Sequence, residues 1–73
     1  MPTEYYGRKS HKEGRYDWIV AINDLGCFIT DPMEDWQKDN DYREEAQSNP
    51  ALYEKLEFTR AQQLLRSWKR ELL

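Results

Sequence analysis

Residues 16–22 alternate between large apolar and other side chains with a period of two, which is typical of a β-strand. One face of this strand carries Tyr16, Trp18, Val20 and Ile22. The other face carries Asp17, Ile19 and Ala21. Because the second face is also partly apolar, the pattern predicts a strand that is covered on both sides.

A turn signal follows this strand at residues 23–26, where Asn, Asp and Gly fall within four positions. Residues 27–30 then form a second short apolar run, so we predict a β-hairpin over residues 16–30. An isolated two-stranded hairpin is marginally stable in water, which favours a third strand. Residues 4–7, with two consecutive tyrosines, are the local candidate for it; the alternative leaves those tyrosines exposed as contacts.

The first predicted helix begins at Pro32. Asp31 can accept hydrogen bonds as an N-cap, Pro32 suits the first helical position, and Glu34 can complete a capping box. Met33 and Trp36 are three residues apart and are expected to face the sheet. The helical pattern weakens near Asn40, and the helix is expected to end before residue 48.

The second predicted helix runs from about residue 50 to residue 73, because Asn49 and Pro50 repeat the cap-and-proline signal. It carries two apolar stripes on nearly opposite sides. The first consists of Leu52, Tyr53 and Leu56. The second consists of Phe58, Ala61, Leu64, Leu65, Trp68 and Leu72. Either one straight helix buries both stripes or the chain bends near Phe58; we favour a long helix whose second stripe faces the core.

These elements predict an α+β fold, with a β-hairpin or three-stranded antiparallel sheet followed by two helices, the C-terminal one packed on the sheet. Trp18 and Trp68 are expected to meet in the core. The 73 residues are enough for one small domain, which we assign to residues 16–73. Residues 1–15 lack apolar periodicity and are expected to be a flexible basic arm.

The single cysteine, Cys27, rules out an intrachain disulfide, and a small buried side chain is expected there. No stretch of the sequence approaches the length of an apolar membrane span. A cytoplasmic protein without membrane contact is therefore expected.

Charge is distributed unevenly along the chain. Residues 1–16 have a net charge of +2, residues 31–45 of −5, and residues 59–73 of +3. This basic, acidic, basic order is the main clue to function that the composition offers.

Catalytic motifs are hard to find in this sequence. His11 is the only histidine, so neither a His-containing triad nor a zinc site can be assembled with a second His or Cys. The acidic run lacks the glycine of an EF-hand loop, and the three glycines fit no phosphate-binding motif. We therefore predict a protein that is not an enzyme and that binds no metal or cofactor.

Two basic segments are the candidate binding regions. The predicted partner-binding residues are Tyr5, Tyr6, Arg8, Lys9, Lys12, Arg15, Arg66, Lys69 and Arg70. Tyrosine and arginine are enriched at protein interfaces, which favours docking on a protein. Ordinary solubilising charge and nucleic-acid binding through the basic aromatic arm are the alternatives, although a pI near 5.1 opposes the latter. A further alternative is a neutraliser of another host protein that uses the acidic helix.

Three segments resemble a small phage-encoded transcription regulator, of the type found in a lytic Xanthomonas phage. They are the N-terminal residues 1–9, the strand at residues 17–22 and the basic residues 66–70. The resemblance implies an inhibitor that binds bacterial RNA polymerase in the host cytoplasm, displaces the σ factor and assists antitermination. It implies contacts of the arm with the N-terminal region of β′, and of the second basic segment with the β flap. A monomer without direct DNA binding is expected.

Overall fold

The structure, a computed structural model, describes residues 2–73 and consists of five strands and two helices. In chain order these are β1 (Glu4–Lys9), β2 (Tyr16–Asn23), β3 (Gly26–Thr30), β4 (Gln37–Lys38), α1 (Tyr42–Ser48), β5 (Tyr53–Leu56) and α2 (Phe58–Ser67). The strands form one antiparallel sheet in the order β4-β3-β2-β1-β5. The α+β class is confirmed, although the sheet has more strands than the three expected. None of the helices in residues 2–73 could cross a membrane.

The predicted hairpin is confirmed as β2 and β3. Asn23 pairs with Gly26, which leaves Asp24 and Leu25 as the turn residues. Gly26 has a φ of 135°, a backbone conformation that residues other than glycine rarely adopt. The glycine of the turn signal is therefore required by the backbone.

Residues 4–9 are the main correction to the predicted domain organisation. They form β1, whose backbone pairs with β2 on one side and with β5 on the other. The prediction of a flexible arm over residues 1–15 is therefore wrong for residues 4–9, while the alternative of an added strand at residues 4–7 is confirmed. Met1 lies outside the described residues, and residues 10–15 form the exposed turn between β1 and β2.

The sheet is covered on both faces, as the double-sided apolar pattern of β2 predicts. On one face α2 packs over a core of Tyr5, Ile19, Ala21, Leu56, Ala61 and Leu65. On the other face α1 packs over Val20, Ile22, Cys27, Ala46 and Tyr53. Each side of the thin sheet therefore has its own small core.

The expected contact between Trp18 and Trp68 is wrong. Trp18 packs with the core beneath α1, and Trp68 packs with the core beneath α2. The reason is the alternation of β2, which sends Trp18 to the face of Val20, opposite the face that α2 covers.

Cys27 is fully buried, as expected for a small core side chain. Burial raises the pKa of its thiol. The charge of Arg43 lowers this pKa and the charge of Asp39 raises it, both by less than burial does. The reactive thiolate form is therefore disfavoured.

The helix predicted to begin at Pro32 does not form. Asp31 Oδ1 accepts the backbone N–H groups of Met33 at 2.8 Å and Glu34 at 2.7 Å, as an N-cap would. The chain then turns and adds β4 to the edge of β3, where Gln37 pairs with Ile29. The cap signal was correct as local hydrogen bonding but wrong as a helix start, and α1 begins only at Tyr42.

The second predicted helix is also shorter than expected. Residues 53–56 form β5 on the outer side of β1, and α2 begins at Phe58, where the alternative bend was placed. The second apolar stripe is confirmed as the core face of α2 and of the residues that follow it. Its first member is the exception, because Phe58 is 60% exposed.

A chain of hydrogen bonds links three elements on the α1 side of the sheet. The Trp18 indole N–H donates to the Tyr53 hydroxyl at 3.1 Å, and that hydroxyl donates to Glu45 Oε2 at 2.9 Å. Trp18 also meets the ring edges of Tyr42 and Tyr53, at centroid distances of 6.2 and 6.4 Å. The pKa of Tyr53 is raised to about 12, mainly by burial; the hydrogen bond from Trp18 opposes the rise, and the hydrogen bond to Glu45 adds to it.

We predict that the protein loses stability in alkaline solution partly through Tyr53. Its folded pKa of about 12 exceeds the ordinary value of 10.0, so its contribution is complete below pH 10.0 and is lost as the pH rises towards 12. Urea denaturation of the wild type and of Tyr53→Phe at several pH values measures this. The variant should lose less stability than the wild type between pH 10 and 12; equal losses would contradict the assignment.

Gly7 provides a second test of the packing. The Tyr16 ring lies over it, and a Cβ atom at position 7 would clash with Tyr16 Cδ1 and would lie 2.7 Å from Tyr16 Cε1. Tyr16 is held there by a hydrogen bond from its hydroxyl to Glu54 Oε2. We predict that Gly7→Ala lowers the free energy of unfolding by about 1–3 kcal/mol, as overpacking does. In a Tyr16→Ala background the same change should have a much smaller effect, and additive effects in this double-mutant cycle would refute the clash.

Candidate partner-binding surface

Three parts of the chain meet at one end of the sheet. The β1–β2 turn (residues 10–15) and the β3–β4 connection (residues 31–36) both lie there, because β1 and β3 end where β2 and β4 begin. The end of α2 reaches the same place. The groove between these parts is lined by Gly14, Arg15, Tyr16, Pro32, Leu64, Ser67 and Trp68.

Arg15 lines this groove, and three more exposed cations are close in the chain to residues that line it; we call these four the basic rim: Lys12, Arg15, Arg66 and Lys69. Lys12 and Arg15 belong to the β1–β2 turn, while Arg66 and Lys69 lie on either side of Ser67 and Trp68 in the chain. No side chain of the rim forms a hydrogen bond or salt bridge with another residue in the range 2–73. The rim is thus available to an anionic partner.

Apolar side chains accompany the rim. Trp68 is half-buried in the groove, and Met33, next to the groove residue Pro32, is 88% exposed. The prediction that Met33 faces the sheet is therefore wrong, because the helix that would have turned it inward is absent. Arginine, tryptophan and methionine are residue types that are enriched in protein interfaces.

The two tyrosines among the predicted contacts lie inside the fold. Tyr5 is 2% exposed, and its hydroxyl donates to the main-chain oxygen of Leu73 at 3.0 Å. Burial raises its pKa, and the bond to Leu73 opposes this rise. Tyr5 is therefore a core residue, which corrects its assignment as a contact. Tyr6 is half-buried on the other face, where its hydroxyl donates to Glu4 Oε2 at 3.4 Å.

Arg8 and Lys9 also have partners within the protein. The Arg8 guanidinium lies 5.3 Å from the centroid of the Trp18 ring, and its Nη1 donates to the carbonyl oxygen of Lys9 at 2.7 Å. Lys9 Nζ donates to the carbonyl oxygen of Pro50 at 3.2 Å. The first basic segment is thus divided: Arg8 and Lys9 belong to the sheet, and the turn carries the unpaired cations.

Arg70 connects the C-terminal segment (residues 68–73) to the β3–β4 connection. Its side chain is 16% exposed. Its Nε donates to Thr30 Oγ1 at 3.2 Å and to the carbonyl oxygen of Glu34 at 3.1 Å, and its Nη2 donates to that of Asp31 at 3.4 Å. The Trp36 indole N–H donates to the carbonyl oxygen of Glu71 at 2.7 Å across the same contact. Arg70 is therefore a structural tether, which corrects its placement on the open surface.

The acidic residues do not form one helical face. Asp35, Asp39 and Asp41 precede α1, and Glu45 on α1 accepts the Tyr53 hydrogen bond. Among residues 2–73 no group of three or more His, Cys, Asp or Glu side chains is arranged to hold a metal ion. The acidic residues therefore form neither a helical binding face nor a metal site within residues 2–73.

Sequence reasoning found all four rim residues but could not separate them from the residues with internal partners. It also missed Trp68 and Met33 as surface groups. Trp68 shares the apolar stripe of α2, and Met33 follows a helix-start signal, so the sequence pattern assigned both to the core. No signal in the sequence marked Met33 as exposed or Trp68 as only half-buried.

We predict that Arg70→Ala destabilises the fold by about 1–3 kcal/mol, because it leaves several half-buried acceptors without their donor. Arg66→Ala is the matched control, since this exposed side chain has no partner within residues 2–73 and its removal should change stability by less than about 0.5 kcal/mol. Urea denaturation measures both. Equal stability of the two variants would show that Arg70 is not a tether.

Comparison with known proteins identifies no family for this chain: no family model matches it, and no curated protein or solved structure gives a significant match.

Proposed function

We propose that this protein is a non-enzymatic binding protein that docks the basic rim and Trp68 against an acidic surface of a partner protein. The observation that supports this is the convergence of two basic segments, more than fifty positions apart in the sequence, around one groove. Unpaired exposed cations contribute little to folding. Against an acidic surface they accelerate association and fix the orientation of the complex.

A protein partner suits this surface better than a nucleic acid. The net charge of −3 and the pI near 5.1 oppose long-range attraction to phosphates. Tyr5 and Tyr6, which could have stacked with bases on a free arm, belong to the two cores. Trp68 instead offers an apolar contact in the groove beside Arg15, and the exposed Met33 follows the groove residue Pro32.

We further propose bacterial RNA polymerase as the partner, on the strength of the resemblance to the phage regulator. Binding to the N-terminal region of β′ or to the β flap would occupy surface used by the σ factor and would inhibit initiation. Since the two basic segments lie side by side, they are expected to act as one contact surface rather than as two independent ones.

Affinity purification of the tagged full chain with a bacterial lysate tests the partner, followed by binding to purified core polymerase in competition with σ. Recovery of β and β′, and displacement by excess σ, are the expected results. A chain that recovers neither subunit would rule out polymerase as the partner.

We predict that Arg15→Glu weakens partner binding roughly tenfold or more, because it places a like charge against the acidic partner. Lys38→Glu is the matched control, with the same charge change on β4, where the Lys38 side chain lies next to Gly26 of the β2–β3 turn and away from the groove. Surface plasmon resonance against core polymerase measures both, and circular dichroism should give the same folded spectrum for each. Equal weakening by the two variants would indicate an effect of net charge and contradict a localised rim.

A further inference from the structure

Lys69 has an unusual backbone conformation. Its φ is 58°, and within residues 2–73 no other residue except glycine has a positive φ. It follows the last turn of α2, where its N–H donates to the carbonyl oxygen of Arg66 at 3.0 Å and the N–H of Arg70 donates to that of Leu65 at 2.8 Å. This is the Schellman arrangement that ends many helices.

Glycine is the residue that this position favours, because a Cβ atom in the left-handed conformation crowds the backbone. Lysine is therefore a destabilising choice at this point in the chain. Its side chain does not offset this loss of stability, since it is exposed and forms no hydrogen bond or salt bridge with the described residues. A residue kept in an unfavourable conformation without a structural gain suggests a role in function.

The surroundings of Lys69 indicate the chemistry of the ligand. Lys69 lines a groove with Trp36 and Leu72, and it directly follows Trp68, which lines the first groove together with Arg15. A segment that crosses both grooves would meet these two cations and the Trp68 ring. Asp35 and Glu71 line the Lys69 groove as well. These carboxylates disfavour a ligand as densely charged as a nucleic-acid backbone.

We propose that Lys69 is a binding residue at a position where glycine would be more stabilising, and that Lys69 and Arg15 hold carboxylates of an acidic protein segment whose apolar side chain packs on Trp68. This rests on the proposed protein-binding function and adds the class of ligand and a specific residue. It does not depend on the identity of the partner.

Two variants of Lys69 separate stability from binding. Lys69→Gly removes the charge and relieves the backbone, so its melting temperature should rise by about 4–8 °C. Lys69→Ala removes the charge but keeps a Cβ atom in the left-handed conformation, so its melting temperature should change little. Both variants should bind an acidic segment at least fivefold more weakly than the wild type. Lys38→Ala, with the same loss of charge at the opposite end of the sheet, should bind as the wild type does.

The ligand used for the test is a synthetic peptide of alternating glutamate and leucine, titrated into the full chain labelled with ¹⁵N. Shifts of the Trp68 indole and of the Lys69 and Arg15 amides are the expected result. A single-stranded oligothymidylate is titrated in parallel. If the same signals shift with the oligonucleotide but not with the peptide, the acidic protein segment is rejected and the ligand is a nucleic acid.

The remaining outcomes are equally decisive. Wild-type affinity of Lys69→Gly for the peptide would overturn the binding role of Lys69, and an unchanged melting temperature would overturn the destabilising backbone. Absence of any shift with the peptide would reject the acidic ligand. If the protein binds the peptide at these residues but does not recover polymerase from a lysate, the acidic-segment proposal is supported and only polymerase is rejected as the partner.

Discussion

The fold depends on the two-sided backbone pairing of β1. Glu4–Lys9 is hydrogen-bonded to β2 on one side and to β5 on the other, which joins a local hairpin to the C-terminal half of the chain. Without it, β5 has no partner strand, and the hairpin keeps only the two-residue β4 as a third strand. Its consecutive tyrosines, Tyr5 and Tyr6, enter opposite cores. One strand thus couples the two faces of the sheet.

Sequence patterns predict the parts of this fold that local interactions determine. The β2–β3 hairpin has its own alternation and turn chemistry, and α2 has its own apolar stripe. β1 and β5 have neither, because β1 contains Gly7 beneath the Tyr16 ring and β5 is four residues long. A short apolar segment fits a strand or a helix equally well, and here the pairing with β1 decides. The cap at Asp31 is ambiguous in the same way, since its hydrogen bonds to the following backbone N–H groups are found in turns as well as at the start of helices.

For the proposed binding surface, the sequence predicts which two segments contribute to it but not which of their residues are exposed. Arg66 and Arg70 are four residues apart and look alike in a helical sequence. Only the end of α2 separates them, because the left-handed conformation of Lys69 turns the chain before Arg70. Arg66 then stays on the exposed helix surface, while Arg70 reaches Thr30. Which cations remain unpaired is thus a property of the tertiary structure, which composition and spacing do not contain.

The end of α2 therefore combines structural and surface roles in two adjacent residues. Arg70 fastens the C-terminal segment to the β3–β4 connection, and the reversal of the chain that brings it inward leaves Lys69 in solvent beside Trp68. A glycine at position 69 would form the same turn more favourably but would present no charge. A chain of 73 residues with two thin cores is expected to be only marginally stable. A glycine at position 69 would raise its free energy of unfolding through a single substitution. The binding role that we propose for Lys69 accounts for a lysine at this position.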